Sequence, residues 1–162
     1  MRLDLGGIGK GLAADLCTGR LGGYELFAVD AGGDLRVGGT ESRERLVEIE
    51  SPFSNAPVLS FPLIRGAVAT SGISTRIWRR GDAFAHHLLD PATGESAWTG
   101  VVQATALADT ALEAEVLAKT ALLSGPSTGA EILEARGGVM VLDAGDVVVA
   151  GSLRSSGAER AA

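Results

Sequence analysis

Glycine doublets separate short apolar runs along this chain: Gly6–Gly7, Gly22–Gly23, Gly32–Gly33, Gly38–Gly39 and Gly137–Gly138. Glycine loses more backbone freedom on ordering than any other residue and readily takes positive φ, so such doublets end elements and form turns. The chain must therefore fold from short pieces joined tightly. Its 23 glycines in 162 residues are about twice the usual share of ~7%, yet they alternate with apolar segments and do not form a linker. With 46% apolar and 21% charged residues, the composition is that of one globular domain able to bury roughly 70% of its unfolded surface.

Fourteen Lys and Arg against twenty Asp and Glu leave a net charge of −6. No dense basic stripe exists to attract nucleic acid, and an anionic membrane surface is an equally poor partner. No apolar run approaches the ~18–20 residues of a membrane span. The opening MRLDLGGIGK holds no signal-peptide core, so the chain as given reads as cytoplasmic. A targeting segment ahead of Met1 would instead imply an extracytoplasmic, membrane-associated setting. The lone Cys17 excludes an internal disulfide and reads as a small buried hydrophobe on a helix.

The spacing of Leu12, Ala13 and Leu16 predicts a short amphipathic helix from Ile8 to about Leu21, stopped by Gly19, Gly22 and Gly23. Strand-like runs follow at 24–30, 34–38, 45–51, 58–64, 67–72, 76–80 and 83–89. Leu46, Glu48 and Glu50 alternate with Val47 and Ile49, which gives one wet face and an antiparallel sheet. Residues 100–107 make a further strand. Thr110 and Glu113 form a capping box before a helix to Leu123 with a stripe of Leu112, Val116, Leu117, Ala121 and Leu122. A second helix from Ser127 to Arg136 and a hairpin turned at Ala144–Asp146 complete a domain over 1–151, and 152–162 reads as a frayed tail. The class is α+β: a mixed, largely antiparallel sheet with packed helices.

Four segments could carry chemistry. DLGGIGKG (4–11) places glycines and Lys10, one of only two lysines, ahead of a helix whose exposed N–H groups favour anions. It is not a Walker A loop, lacking both the spacing and the following Ser/Thr. VDAGGDLRVG (29–38) reads as a hairpin, and ATSG (69–72) ends a strand with a hydroxyl and a flexible backbone. HHLLDPATG (86–94) holds both histidines of the chain. Adjacent strand residues point to opposite faces, so only one ring can enter a given pocket, and joint chelation is disfavoured.

In this order the segments DLGGIGKG, DAGGDLRVGG, ATSG with a following Arg, and HHLLDPATG resemble the signature of the ApbE family, the FAD:protein FMN transferases. The resemblance runs from residue 4 to about residue 125. It implies cleavage of the FAD pyrophosphate, transfer of FMN through a phosphoester to a Thr or Ser of a partner flavoprotein, release of AMP, and help from Mg²⁺. Carried onto matching positions, it implies that Asp4 and Lys10 contact the flavin nucleotide and that the Gly7 main chain helps hold the metal. Ser71, Gly72 and Leu88 would line the flavin pocket, and His87 would handle the proton.

The departures from the family pattern lie on the long helix. The family's metal-binding Asp, and the Thr four residues after it, fall on Glu115 and Lys119. Glutamate can ligate Mg²⁺ through oxygen; an ammonium cannot. Lys119 either supplies fixed positive charge in place of the metal or marks a site that has lost metal and activity, and Asp109 is the nearest alternative carboxylate. Family members also carry a substantial portion ahead of the DLGG motif. The chain is thus expected to be a transferase or its C-terminal part, a flavin-holding paralogue without transfer, or an inert fragment. An N-terminally truncated sheet would expose edges, which favours self-association into a homo-oligomer.

Overall fold

The computed structural model describes residues 5–154. Helix α1 (Gly9–Thr18) precedes strands β1 (Phe27–Asp30), β2 (Leu35–Gly38), β3 (Arg45–Glu50), β4 (Pro57–Leu63), β5 (Gly66–Gly72), β6 (Ile77–Arg80), β7 (Ala83–His86) and β8 (Val101–Ala108). Helix α2 (Ala111–Glu134), strands β9 (Gly138–Leu142) and β10 (Val147–Ala150), and a 3-10 turn at Gly151–Arg154 follow. Six strands form one sheet in the order β1-β2-β5-β8-β9-β10, while β3–β4 and β6–β7 are separate two-stranded ribbons. Each of these pairings is antiparallel. No helix among the described residues is long and apolar enough to cross a membrane.

The main sheet is the middle of three layers. In β5, Ala67 and Ala69 join Ala14, Ala108, Ala111 and Ala114 on the helix side. Val68 between them joins Val47, Ile49, Leu59 and Phe61 of the β3–β4 ribbon on the other side. Strand β5 is thus buried on both faces, which explains why its sequence shows no polar alternation. In β3 one face is wet, with Leu46 and Glu48 exposed and Val47 and Ile49 buried. Both outcomes follow from which layers cover each strand.

Helices α1 and α2 meet through small residues. The buried positions of α1 are Gly11 and Ala14, while Leu16 is 68% exposed, so the stripe is offset from the expected Leu12–Ala13–Leu16 face. Cys17 lies on the helix as expected but is exposed. In α2 the buried face consists mainly of Ala111, Ala114, Ala118, Ala121 and Leu122, with Val116 turned outward. Close packing of backbone on backbone, and not leucine spacing, sets this interface. A Cβ added at Gly11 would lie 2.5 Å from the Ala111 carbonyl oxygen. Gly11→Val is therefore expected to destabilise the fold by about 1–3 kcal/mol through overpacking, read as a lower urea midpoint at unchanged slope.

The two helices expected over 110–136 form one element broken at Gly125, whose φ of 79° precedes Pro126. Thr110 caps the first part, its hydroxyl accepting from the Glu113 N–H at 3.2 Å. The Glu113 carboxylate pairs with Arg136 at 3.1 Å. Residues 152–154, assigned to the tail by sequence, are tied down: Leu153 is buried, and Arg154 Nε donates to the Val149 carbonyl at 2.8 Å. The remainder of that tail lies outside the described residues.

Candidate functional site

Each helix supplies a carboxylate to the start of the other. Asp15 of α1 accepts from the first two N–H groups of α2, Ala111 and Leu112, both at 2.9 Å. Glu115 of α2 reaches back, its Oε2 accepting from the Gly11 N–H at 2.8 Å. That N–H is one of the four orphan donors opening α1, whose N-cap residue Ile8 offers no side-chain acceptor. The other Glu115 oxygen accepts from Lys119 Nζ at 2.7 Å. Glu115 is only 1% exposed, so its charge is held by the helix N-terminus and a lysine one turn on.

Beside this junction opens a cleft of about 1090 Å³. Gly6, Gly7 and Lys10 line it from the start of α1, and Asp30, Gly32 and Gly33 from the β1–β2 turn. Ser71 and Gly72 close β5 at its edge; His87 and Leu88 border it just beyond β7, and Lys119 borders it from α2. Gln103, which also lines it, donates to the Glu50 carbonyl at 2.8 Å and so joins the β3–β4 ribbon to the sheet.

Lys10 spans two of these elements. Its Nζ lies 3.3 Å from the Gly32 carbonyl and 3.0 Å from Asp34 Oδ1. The turn it contacts supports itself, since Asp30 Oδ1 accepts from the Gly33 N–H at 2.8 Å and both glycines have positive φ. The Asp34 side chain is fully buried, and burial raises its pKa against the opposing pull of Lys10. Asp34, Glu115, Lys10 and Lys119 thus form one charge cluster, with each buried carboxylate beside its own lysine.

The histidines separate as strand geometry requires. His86 is buried and packs edge-to-face on Trp98, with ring centroids 4.5 Å apart. Its Nδ1 accepts from the Leu88 N–H at 3.3 Å, and its backbone N–H donates to Ser96 Oγ at 2.9 Å. These bonds hold the bend that turns His87 into the cleft. Though His87 is exposed at the rim, desolvation by the cleft wall lowers its pKa, and the neighbouring Arg76 charge lowers it further. The imidazole is therefore neutral at pH 7 and free to accept a proton. Asp90 closes the following turn, its Oδ1 accepting from the Ala92 N–H at 2.8 Å.

Segments 6–10, 29–38, 69–72 and 86–94 thus converge on one cleft. The ApbE family's sequence model matches residues 1–142. The chain belongs to the ApbE family. It is 31% identical over 156 residues to an FAD:protein FMN transferase of Treponema pallidum, covering 88% of this chain and 43% of that protein. A Vibrio cholerae FAD:protein FMN transferase is 29% identical over 140 residues, covering 82% of this chain and 42% of that one. The crystal structure of the ApbE protein from Thermotoga maritima matches with a TM-score of 0.80 at 27% identity, over 96% of this chain and 53% of that one. The ApbE-family chain therefore spans about half the length of the relatives it matches.

Gly7, Lys10, Ser71, Gly72, His87, Leu88 and Lys119 all border the cleft. Asp4 lies outside the described residues. Glu115 does border the cluster, but one of its oxygens serves Gly11 and the other Lys119. Asp109 pairs with Arg136 at 2.7 Å, so it is committed away from the cleft. Among the described residues no three His, Cys, Asp or Glu side chains are grouped to hold a metal ion. Of the two helix positions that the family pattern gives to the metal, Glu115 is occupied by Gly11 and Lys119, and Lys119 has no lone pair to offer Mg²⁺. Asp15 and Gln103 escaped the sequence analysis, whereas Arg76 was present there as the Arg following ATSG. DAGGD contained Asp34, but only the fold shows it meeting Lys10.

Proposed function

We propose that this chain forms the flavin-nucleotide site of an FAD:protein FMN transferase. FMN would pass from FAD to a Thr or Ser hydroxyl of a partner flavoprotein, forming a phosphoester and releasing AMP. The convergence of Lys10, Ser71–Gly72 and His87 in one cleft, from segments 77 residues apart at the extremes (10 to 87), carries this reading. In the step itself the acceptor hydroxyl oxygen bonds to the phosphorus bearing riboflavin, and the bond from that phosphorus to the oxygen of the AMP phosphate breaks. The hydroxyl proton passes to His87, while the lysine ammoniums balance charge on the phosphoryl oxygens.

The direct test mixes the chain with FAD and a flavoprotein acceptor and weighs the acceptor by mass spectrometry. A gain equal to esterified FMN supports transfer. Bound FAD with no gain supports the second reading, a flavin holder, which the lysine-paired Glu115 favours. Because His87 must be neutral to accept the proton and its pKa is lowered, the acid limb of the rate is expected below the ordinary histidine value of about 6.5. A pH–rate profile of single-turnover transfer checks this. Falling activity already above that value would assign the limb to another group.

A further inference from the structure

Resting on the nucleotide-site reading above, we infer that Lys119, seated by Glu115, supplies the fixed positive charge at the pyrophosphate position, so that a nucleotide pyrophosphate binds here without a divalent cation. An ammonium carries three donor hydrogens. One Lys119 hydrogen is directed to Glu115 Oε1 at 2.7 Å, and the Nζ borders the cleft with a side chain 19% exposed. Two donors remain for a ligand.

Each neighbouring acid already faces a lysine, although both oxygens of the buried Asp34 lack a hydrogen-bond partner among the described residues. Glu115 Oε2 takes the Gly11 N–H, and Asp34 faces Lys10 at 3.0 Å. A divalent cation would need both carboxylates freed from their lysines, and it would then stand against two ammoniums at close range. Lys10 and Lys119 are the only lysines of the chain, and both face this cleft. A simple i,i+4 surface pair would lie in solvent. This pair instead joins a carboxylate at 1% exposure to the glycine turn that opens α1. Glu115 acts here as a positioning residue: it fixes the ammonium and ties it to α1.

The test measures FAD binding to the full 162-residue chain by fluorescence anisotropy, once in EDTA and once in excess Mg²⁺, with riboflavin and inorganic pyrophosphate as further probes. Equal FAD affinity within about twofold in the two buffers is expected, since no ligand bond runs through a metal. Lys119→Met is expected to weaken FAD about tenfold or more, a charge-assisted contact being lost, while leaving riboflavin binding unchanged. The pair variant Glu115→Gln with Lys119→Met removes both charges together and is expected to show the same selective loss, which guards against misfolding of the single variant. FAD binding that strengthens tenfold with Mg²⁺, or that ignores Lys119→Met, overturns the inference. If neither FAD nor riboflavin binds, the flavin reading fails. Pyrophosphate bound in EDTA and lost with Lys119→Met would then still uphold the anion subsite, and no pyrophosphate binding would overturn it.

Discussion

His87→Ala is expected to slow FMN transfer by about 10²–10⁴-fold, the range for loss of a positioned proton acceptor. FAD affinity should change little, because in the proposed reaction the imidazole serves the attacking hydroxyl and not the ground-state nucleotide. His87 is exposed at the cleft rim, so truncation removes little packing. His86 holds the adjoining bend through Leu88 and Ser96, and it remains in place in this variant. The measurement is single-turnover transfer at saturating FAD across pH, with FAD affinity taken separately. The acid limb should disappear with the side chain. A rate within threefold of the parent would remove His87 from the reaction, and a parallel loss of FAD affinity would reassign it to binding.

Lys119→Met should cost about 3–5 kcal/mol of stability, as expected when one partner of a buried ion pair is removed. Glu115 would keep its hydrogen bond from Gly11 but lose its counter-ion at 1% exposure. The result should sit near the lower end of that range, since Gly11 still stabilises the carboxylate. Adding Glu115→Gln should return most of the loss, because the amide oxygen can accept from Gly11 without a buried charge. Urea unfolding of parent, both singles and the double gives the coupling directly. Additive effects would show that the two side chains do not depend on one another.

Strand content and turn positions were readable from the glycine doublets and from alternation such as Val47 and Ile49 against Glu48 and Glu50. The kink at Gly125–Pro126 was readable as two helices with a break. What escaped was anything decided by backbone contact between distant segments. Leu16 and Val116 looked like core residues by period, yet they point outward because Gly11 and the α2 alanines allow α1 and α2 to approach more closely than leucines would. Strand β7 ends at His86 and not at Leu89, because His86 and Leu88 bond to the 96–97 segment. In the site, Lys10, Ser71 and His87 were legible as motif members. The reciprocal caps from Asp15 and Glu115 were not, since each joins residues about a hundred positions apart and leaves no local pattern.

The alanines lining the seam between α2 and the sheet have a consequence for how this protein can change over generations. Ala67, Ala69, Ala104, Ala106, Ala108, Ala111, Ala114, Ala118 and Ala121 are all buried. Added methylenes there would force backbones apart, so enlarging substitutions are expected to destabilise the seam. The opposite face carries Val47, Ile49, Leu59 and Phe61 in the β3–β4 ribbon, where side chains of similar volume can exchange at small cost. Drift is therefore steered to one side of the sheet. A descendant that accepts a different ligand would acquire it through the ribbon wall of the cleft or through polar α2 positions such as Lys119, with the alanine seam kept small.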